Sequence, residues 1–338
     1  YSRKVFIDYE DVRCEYGKYQ ILSSGAVLNT LSLGAEIAFK NGASQLVLVQ
    51  SRSKEDIDMM DAIDKLEERI ETLDNVNAIV PLTSSNAVID HLVKHVNKCS
   101  TPELNQYRIG YAAAGLNMTI DKNIEYAQKI NNERIVYIVP GEITRTVVDP
   151  NTGFNSVRVV PGYTTAAAIA AIAMKNDPAE PLTNKQLNDF VSLITYYKDS
   201  EANKLAAAGC LVIKQEGTAI KIRHGITTHG STETIADIQS NEITLIQIKD
   251  YVFEDCRVIL GQLYIGGKLK SGIVNEIEYT ITNILNGHAA NNIIIGFDNL
   301  KVSRDINDPR QINIKFSIEA VYPLNYIDIE FGFSTTIS

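Results

Sequence analysis

The chain has no tryptophan, nine prolines and only four cysteines in 338 residues. The cysteines, Cys14, Cys99, Cys210 and Cys256, are scattered without a CxxC pair. In a chain this long that excludes a disulfide framework and reads as free thiols made in a reducing cytoplasm. Basic residues are the scarcer charge: 32 Lys and Arg stand against 41 Asp and Glu, for a net charge of −9. That balance argues against a protein built chiefly to hold nucleic acid directly. Long apolar runs are missing too. The longest spans residues 166–174 and is mostly alanine, far short of the ~20 residues of a membrane-spanning helix, so no membrane insertion is expected. No secretory signal pattern opens the chain, since Tyr1-Ser2-Arg3-Lys4-Val5-Phe6 leads straight into an apparent strand. The initiator methionine is also missing, which reads as a processed chain or a fragment of something longer. What remains is ordinary globular composition, 45% apolar and 22% charged, enough for about two or three domains.

Catalytic and cofactor fingerprints are equally sparse. No GxGxxG follows the early strands, and no GxSxG is present. Gly261, Gly266, Gly267 and Lys268 have a phosphate-loop look, but Gly267 breaks the spacing and Leu269 stands where Ser or Thr is needed. His91, His95 and Cys99 fall on one helical stripe. His91 and Cys99 are eight residues apart, ~12 Å along a helix axis, too far to share one ion. These side chains are expected to be solvated or packed rather than ligating. Polar residues expected at the carboxyl ends of parallel strands are Ser51, Arg52, Thr83, Ser84, Gly115, Asn117, Gly141 and Glu142. Any α/β domain needs a polar rim there, and this one brings no histidine. No catalytic residue, cofactor or metal is assigned.

The positive signals are periodic. β-rich runs at 45–50, 77–80, 107–113 and 134–139 start 32, 30 and 27 residues apart, the spacing of strand–helix–strand units. Between them, 54–73, 86–98 and 119–130 carry one apolar stripe each, as helices laid on a sheet do. Ser53 and Asp56 mark a start for the first of these helices. A largely parallel sheet follows. A hairpin is expected over 147–160, a buried alanine-rich helix over 164–175, and a second hairpin over 211–223. Thr183 and Gln186 have capping-box spacing, which predicts a helix start. In the last third, 243–248 alternates and predicts a strand. Helices are expected over 251–264 and 273–285, then strands over 293–300, 311–321 and 326–337. Ile312, Ile314, Phe316 and Ile318 should face those two helices, with Asn313, Lys315, Ser317 and Glu319 outward. The fold class is thus an α/β core with a largely parallel sheet, followed by a C-terminal α+β unit with two helices on antiparallel strands. The expected divisions are 1–155, 156–230 and 231–338.

The segment from Val160 to the end resembles the contractile tail sheath protein family of phages and related injection machines. Val160-Pro161-Gly162-Tyr163-Thr164-Thr165-Ala166-Ala167-Ala168-Ile169-Ala170 is similar to the family's Pro-Pro-Ser-Gly-x-Val-Ala-Gly segment, without the second proline and the later glycine. Lys175-Asn176-Asp177 stands where the family has Arg-x-Asp. Ile246-Gln247-Ile248-Lys249-Asp250-Tyr251-Val252 resembles its strand–Arg–helix junction, with Lys249 in the basic position. The two helices, the strand after Pro309-Arg310 and the closing Tyr322-Pro323-Leu324-Asn325-Tyr326-Ile327-Asp328-Ile329 follow in the family's order. The order carries more weight than any single motif.

The resemblance implies a structural protein without enzymatic activity. Its subunits would stack as sixfold rings into a helical sheath around the tail tube protein, contacting baseplate and tail terminator proteins. Contraction would drive the tube through the host envelope. It implies a virion component made in the host cytoplasm. It also implies that subunits are joined by strand exchange, with a C-terminal strand containing Tyr326, Ile327, Ile329, Phe331 and Phe333 added to a neighbour's sheet. No Pro-Gly-Val-Tyr-like arm precedes Tyr1, so the other half of that exchange is expected to lie outside this sequence. Two alternatives stay open on the residues alone: a doubly wound α/β enzyme of unknown substrate, and another ring-forming structural protein.

Overall fold

The computed structural model describes residues 2–22, 24–68, 76–148, 153–230 and 233–332. The chain opens with β1 (Ser2–Phe6), α1 (Tyr9–Tyr16), the short pair β2 (Gln20–Ile21) and β3 (Val27–Leu28), α2 (Thr30–Lys40) and β4 (Leu46–Gln50). Helices and strands then alternate through α3 (Asp56–Asp64), β5 (Ala78–Ile79), α4 (Asn86–Cys99), β6 (Ile109–Ala113), α5 (Ile120–Ile130) and β7 (Ile135–Val139). Next come the hairpin β8 (Glu142–Val148) and β9 (Asn155–Pro161), α6 (Tyr163–Lys175), β10 (Gln186–Leu187) and β11 (Ser192–Leu193). Helix α7 (Asp199–Ala207) leads to β12 (Cys210–Glu216) and β13 (Ala219–Ile222). The last third holds α8 (Ile235–Asn241), α9 (Ile243–Tyr264), α10 (Ile273–Ala290), β14 (Ile294–Arg304) and β15 (Ile312–Ala320).

The central sheet has the order β10-β13-β12-β7-β6-β5. Strands β5, β6, β7 and β12 run parallel, and β13 and β10 add antiparallel at one side. Every residue of β6 and β7 is buried, because helices cover both faces. The pleat divides them. Ile109, Tyr111, Ala113, Val136 and Ile138 pack with α6, while Ala112, Tyr137 and Val139 pack with α5 and α7. Helix α6 is buried on all sides from Tyr163 to Ala173. Its small side chains let it lie close against the sheet and α2. Helix α5 starts conventionally: the Thr119 hydroxyl accepts from the Lys122 N–H.

Several expectations need correction. The strand at 45–50 forms, but it pairs antiparallel with β1 and lies outside the central sheet. Its expected place among the parallel strands is taken by β12. A 30-residue spacing specifies a crossover, not which strand edges meet. Ser53 does not cap α3; Glu55 occupies the N-cap, and Ser53 Oγ accepts from the Glu55 N–H instead. Thr183 and Gln186 start no helix, since Gln186 pairs with β13. The strand expected at 243–248 is the first turn and a half of α9. All six of its residues are buried, and Gln247 Nε2 donates to the Ala173 carbonyl at 3.1 Å. With no side facing water, no helical stripe is written into the sequence there.

In the last third, α9 and α10 pack together under the antiparallel pair β14–β15. Ile281 and Leu285 are fully buried at the centre of this cluster. Ile312, Ile314, Phe316 and Ile318 do face it, but they are only half-buried. Residues 321–332 form neither helix nor strand. Tyr326, Ile327, Ile329 and Phe331 in that segment are exposed, and Phe333 and the rest of the strand expected to 337 lie outside the described residues.

Candidate functional site

The rim of the central sheet is closed. An added Cβ on Gly141 would stand 2.1 Å from the Gly115 carbonyl oxygen, and Gly162 packs in turn on Gly141 and donates its N–H to the Gly141 carbonyl at 2.8 Å. Backbone therefore packs on backbone where the chain leaves β6 and β7. Ser51 Oγ is engaged with the Ser53 carbonyl at 2.7 Å, and Glu142 lies within β8 opposite Pro161. The expected rim residues are thus split between turns and separate strands. A cavity of about 620 Å³ lies elsewhere, between the edges of β4 and β5. The charged groups among the described residues lining it are Lys54 and Lys175, with neither a carboxylate nor a histidine.

The helical stripe at His95 and Cys99 meets Glu67, and donor atoms of these three residues lie within 4.8 Å of one another. The charge at that position is already supplied. Arg108 Nη1 lies 2.8 Å from His95 Nε2 and 3.5 Å from Cys99 Sγ. Its Nη2 donates to the Leu66 carbonyl and to Gln106 Oε1, at 2.6 and 2.7 Å. A guanidinium only donates, so His95 Nε2 must accept and the imidazole is neutral. Burial and the Arg108 charge push its pKa down to about 4. Any cation held by these three residues would face the Arg108 guanidinium. His91 turns away to Asp64, at 2.8 Å.

Two other buried arginines tie elements together. Arg145 on β8 donates to Asp189 at 2.6 Å, Tyr19 at 2.6 Å and Glu36 at 2.8 Å. Burial alone would raise the Glu36 pKa, but Tyr19 and Arg145 hold it below the usual carboxylate value. Arg134, just before β7, donates to both carboxylate oxygens of Asp250 on α9. These networks join separate elements of the fold.

The surface that does look unfinished lies in the last third. The pair β14–β15 is a two-stranded sheet. Each strand therefore keeps an outer edge with no strand partner among the described residues. Beneath it is a groove of about 570 Å³ lined by Lys249, Val252, Phe253, Ile314, Phe316 and Ile318. The exposed apolar segment after β15 follows in the same chain. Sequence reading took Thr183 for a helix start and assigned nothing to His224 or Glu242, yet all three touch this segment at Asn325. No local pattern marks them, because they lie 83 to 142 residues from it.

The chain is thus an α/β body carrying a helix-backed hairpin whose outer edges have no strand partner among the described residues. The sequence model of the phage tail sheath protein central domain matches residues 54–228, just over half of the chain. The chain belongs to the phage tail sheath protein family, whose members are structural components of the virion. It is 24% identical over 336 residues to the tail sheath protein of Mycobacterium phage Bxz1, covering 97% of this chain and 55% of that protein. With the tail sheath protein of Bacillus phage SP01 it shares 27% over 253 residues, covering 74% and 42%. The chain thus spans about half the length of the curated relatives it matches. Its fold is similar to a chain of the anti-feeding prophage baseplate in the contracted state, with TM-score 0.70, 14% identity, and 98% and 89% of the two chains covered. The sheath tail protein Lin1278 from Listeria innocua gives TM-score 0.62 at 16% identity, over 83% and 61%.

Proposed function

We infer that this chain is a non-enzymatic subunit of a contractile tail sheath, linked to its neighbours through its C-terminal segment. The carrying observation is the pairing of two incomplete features. One is the exposed apolar segment holding Tyr326, Ile327, Ile329 and Phe331, each at least 74% exposed. The other is the β14–β15 sheet, with open edges above an apolar groove. An added strand satisfies the edge N–H and C=O groups and places alternate side chains in the groove. In that strand Ile327, Ile329, Phe331 and Phe333 share one face, while Asp328 and Glu330 stay on the other. Such links keep subunits connected while packed surfaces slide.

In this reading copies stack as sixfold rings into a helical sheath around a tail tube protein, bounded by baseplate and tail terminator proteins. Contraction drives the tube through the host envelope. The protein is made in the host cytoplasm and ends in the virion, with no direct nucleic-acid contact. Among the described residues, no helix is long and apolar enough to cross a membrane. The division near residue 230 separates the assembling part from the α/β body, whose central sheet also takes β12 and β13 from the connecting part at 156–230.

The test uses a fluorescent peptide of residues 324–338 added to the chain. Its anisotropy should rise and saturate with a Kd of about micromolar order. Changing Ile327, Ile329 and Phe331 to Ser should weaken binding at least about tenfold. In the complete sheath protein, deletion of residues 326–338 should abolish tubes seen by negative-stain microscopy. Tubes that survive the deletion would remove this segment from the linkage.

A further inference from the structure

We propose that Thr183, His224 and Glu242 form a latch that clamps Asn325 to the α/β body, so that the linking arm leaves each subunit from a fixed point. This rests on reading the C-terminal segment as the arm.

The contacts come from three separate places in the fold. Thr183, before β10, donates its hydroxyl to Asn325 Oδ1 at 2.8 Å. Glu242, at the junction of α8 and α9, accepts from Asn325 Nδ2 at 2.9 Å and from His224 Nε2 at 2.6 Å, both on Oε1. The two donors therefore crowd one oxygen, and the Asn325 amide is engaged at both of its ends. On the other side of the ring, the Tyr326 hydroxyl lies 3.4 Å from His224 Nδ1. The Tyr326 ring meets the imidazole edge-on at 5.9 Å between centroids. Three residues before Asn325, the Tyr322 hydroxyl accepts from Gln239 Nε2 at 2.8 Å.

Glu242 is 6% exposed. A carboxylate that buried needs its hydrogen bonds. It is both the C-cap residue of α8 and the N-cap residue of α9, so the two helix dipoles oppose each other at its side chain. The body thus holds a preformed acceptor that the arm completes. The exposure pattern changes at this point: Val321, Pro323 and Asn325 are half-buried between exposed neighbours, whereas residues 326–332 are all exposed. The arm is therefore clamped at Asn325, and Ile327 and Ile329 lie beyond the clamp with their side chains exposed. Each further residue of an extended arm adds at most about 3.5 Å of reach. Fixing its origin raises the arm's effective concentration at a neighbour's sheet and limits which neighbour it can reach.

The test has two parts. In the chain with Cys14→Ser, a fluorophore on Leu324→Cys reports local mobility by anisotropy decay, since the other three cysteines are buried. Asn325→Ala should at least double the fast-decaying fraction without moving the urea midpoint of the body. The same variant, and deletion of residues 321–338, should shift the His224 imidazole resonances alike, identified with His224→Gln. A label equally mobile with and without the Asn325→Ala change, or His224 resonances indifferent to the deletion, would overturn the latch. The second part compares tethered and free arms. Asn325→Ala should lower tube yield several-fold in the complete sheath protein, while a 324–338 peptide carrying N325A binds as tightly as the unchanged peptide. If the N325A peptide also binds weakly, Asn325 belongs to the exchange contact and the latch role fails. If neither peptide binds, strand exchange falls, and the mobility measurement alone decides the latch.

Discussion

Arg134 and Asp250 meet through two hydrogen bonds of 2.7 and 2.8 Å, joining the start of a central strand to the long helix α9. Both side chains are largely buried, and the Tyr107 ring stacks under the guanidinium at 5.5 Å. Asp250→Ala strands a buried cation and should cost about 3–5 kcal/mol. Replacing both, as Arg134→Met with Asp250→Leu, should recover most of that loss. Urea unfolding of the three variants checks this, and a single-variant cost under about 1 kcal/mol would mean water reaches the pair.

His95 should make stability fall in mild acid. Its folded pKa is pushed down to about 4 by burial and Arg108, against about 6.5 in the unfolded chain. The unfolded state alone therefore takes up the proton as pH drops below the unfolded value. The contribution is fully present near pH 7 and is lost between about pH 6.5 and 4, on the order of 3 kcal/mol. His95→Gln keeps an acceptor for Arg108 but has no proton to gain. Its unfolding free energy should change less between about pH 7 and pH 4.5 than the parent's. Equal slopes would refute the neutral-histidine assignment.

Leu285→Ala should hurt more than Phe316→Ala, although Phe is larger. Leu285 is fully buried between α9, α10 and the hairpin, so its loss leaves a cavity worth about 2–5 kcal/mol. Phe316 faces the same cluster but keeps part of its ring in water, for about 1–2 kcal/mol. Denaturant unfolding gives the order directly, and a reversed order would mean that another chain or segment covers Phe316.

Gly141→Ala should be among the most damaging small substitutions. The methyl would stand 2.1 Å from the Gly115 carbonyl oxygen and 2.6 Å from that of Ala114. Both obstacles are backbone at the carboxyl end of β6, so neither can swing away as a side chain would. A loss above about 3 kcal/mol, or failure to fold, is expected. A variant with near-parent thermal stability would show that the rim is looser than its packing indicates.

Much of the architecture was legible in short-range patterns. The stripes of α4 and α5, the alternation in β15 and the turn around Gly217 each record one buried face. The order of motifs in the last third was enough to point to the sheath family. Sequence failed where burial has no periodicity. The start of α9 is buried all round and so reads as a strand. Tertiary structure alone decided that β4 pairs with β1, that Arg108 occupies the His95–Cys99 cluster, and that Thr183 and Glu242 converge on Asn325. Apart from the reach of 13 and 9 residues from Arg108 to His95 and Cys99, each of these joins groups tens of residues apart. Local propensity carries information only about a residue's own neighbours along the chain, whereas such pairings arise when packed elements bring distant groups within reach.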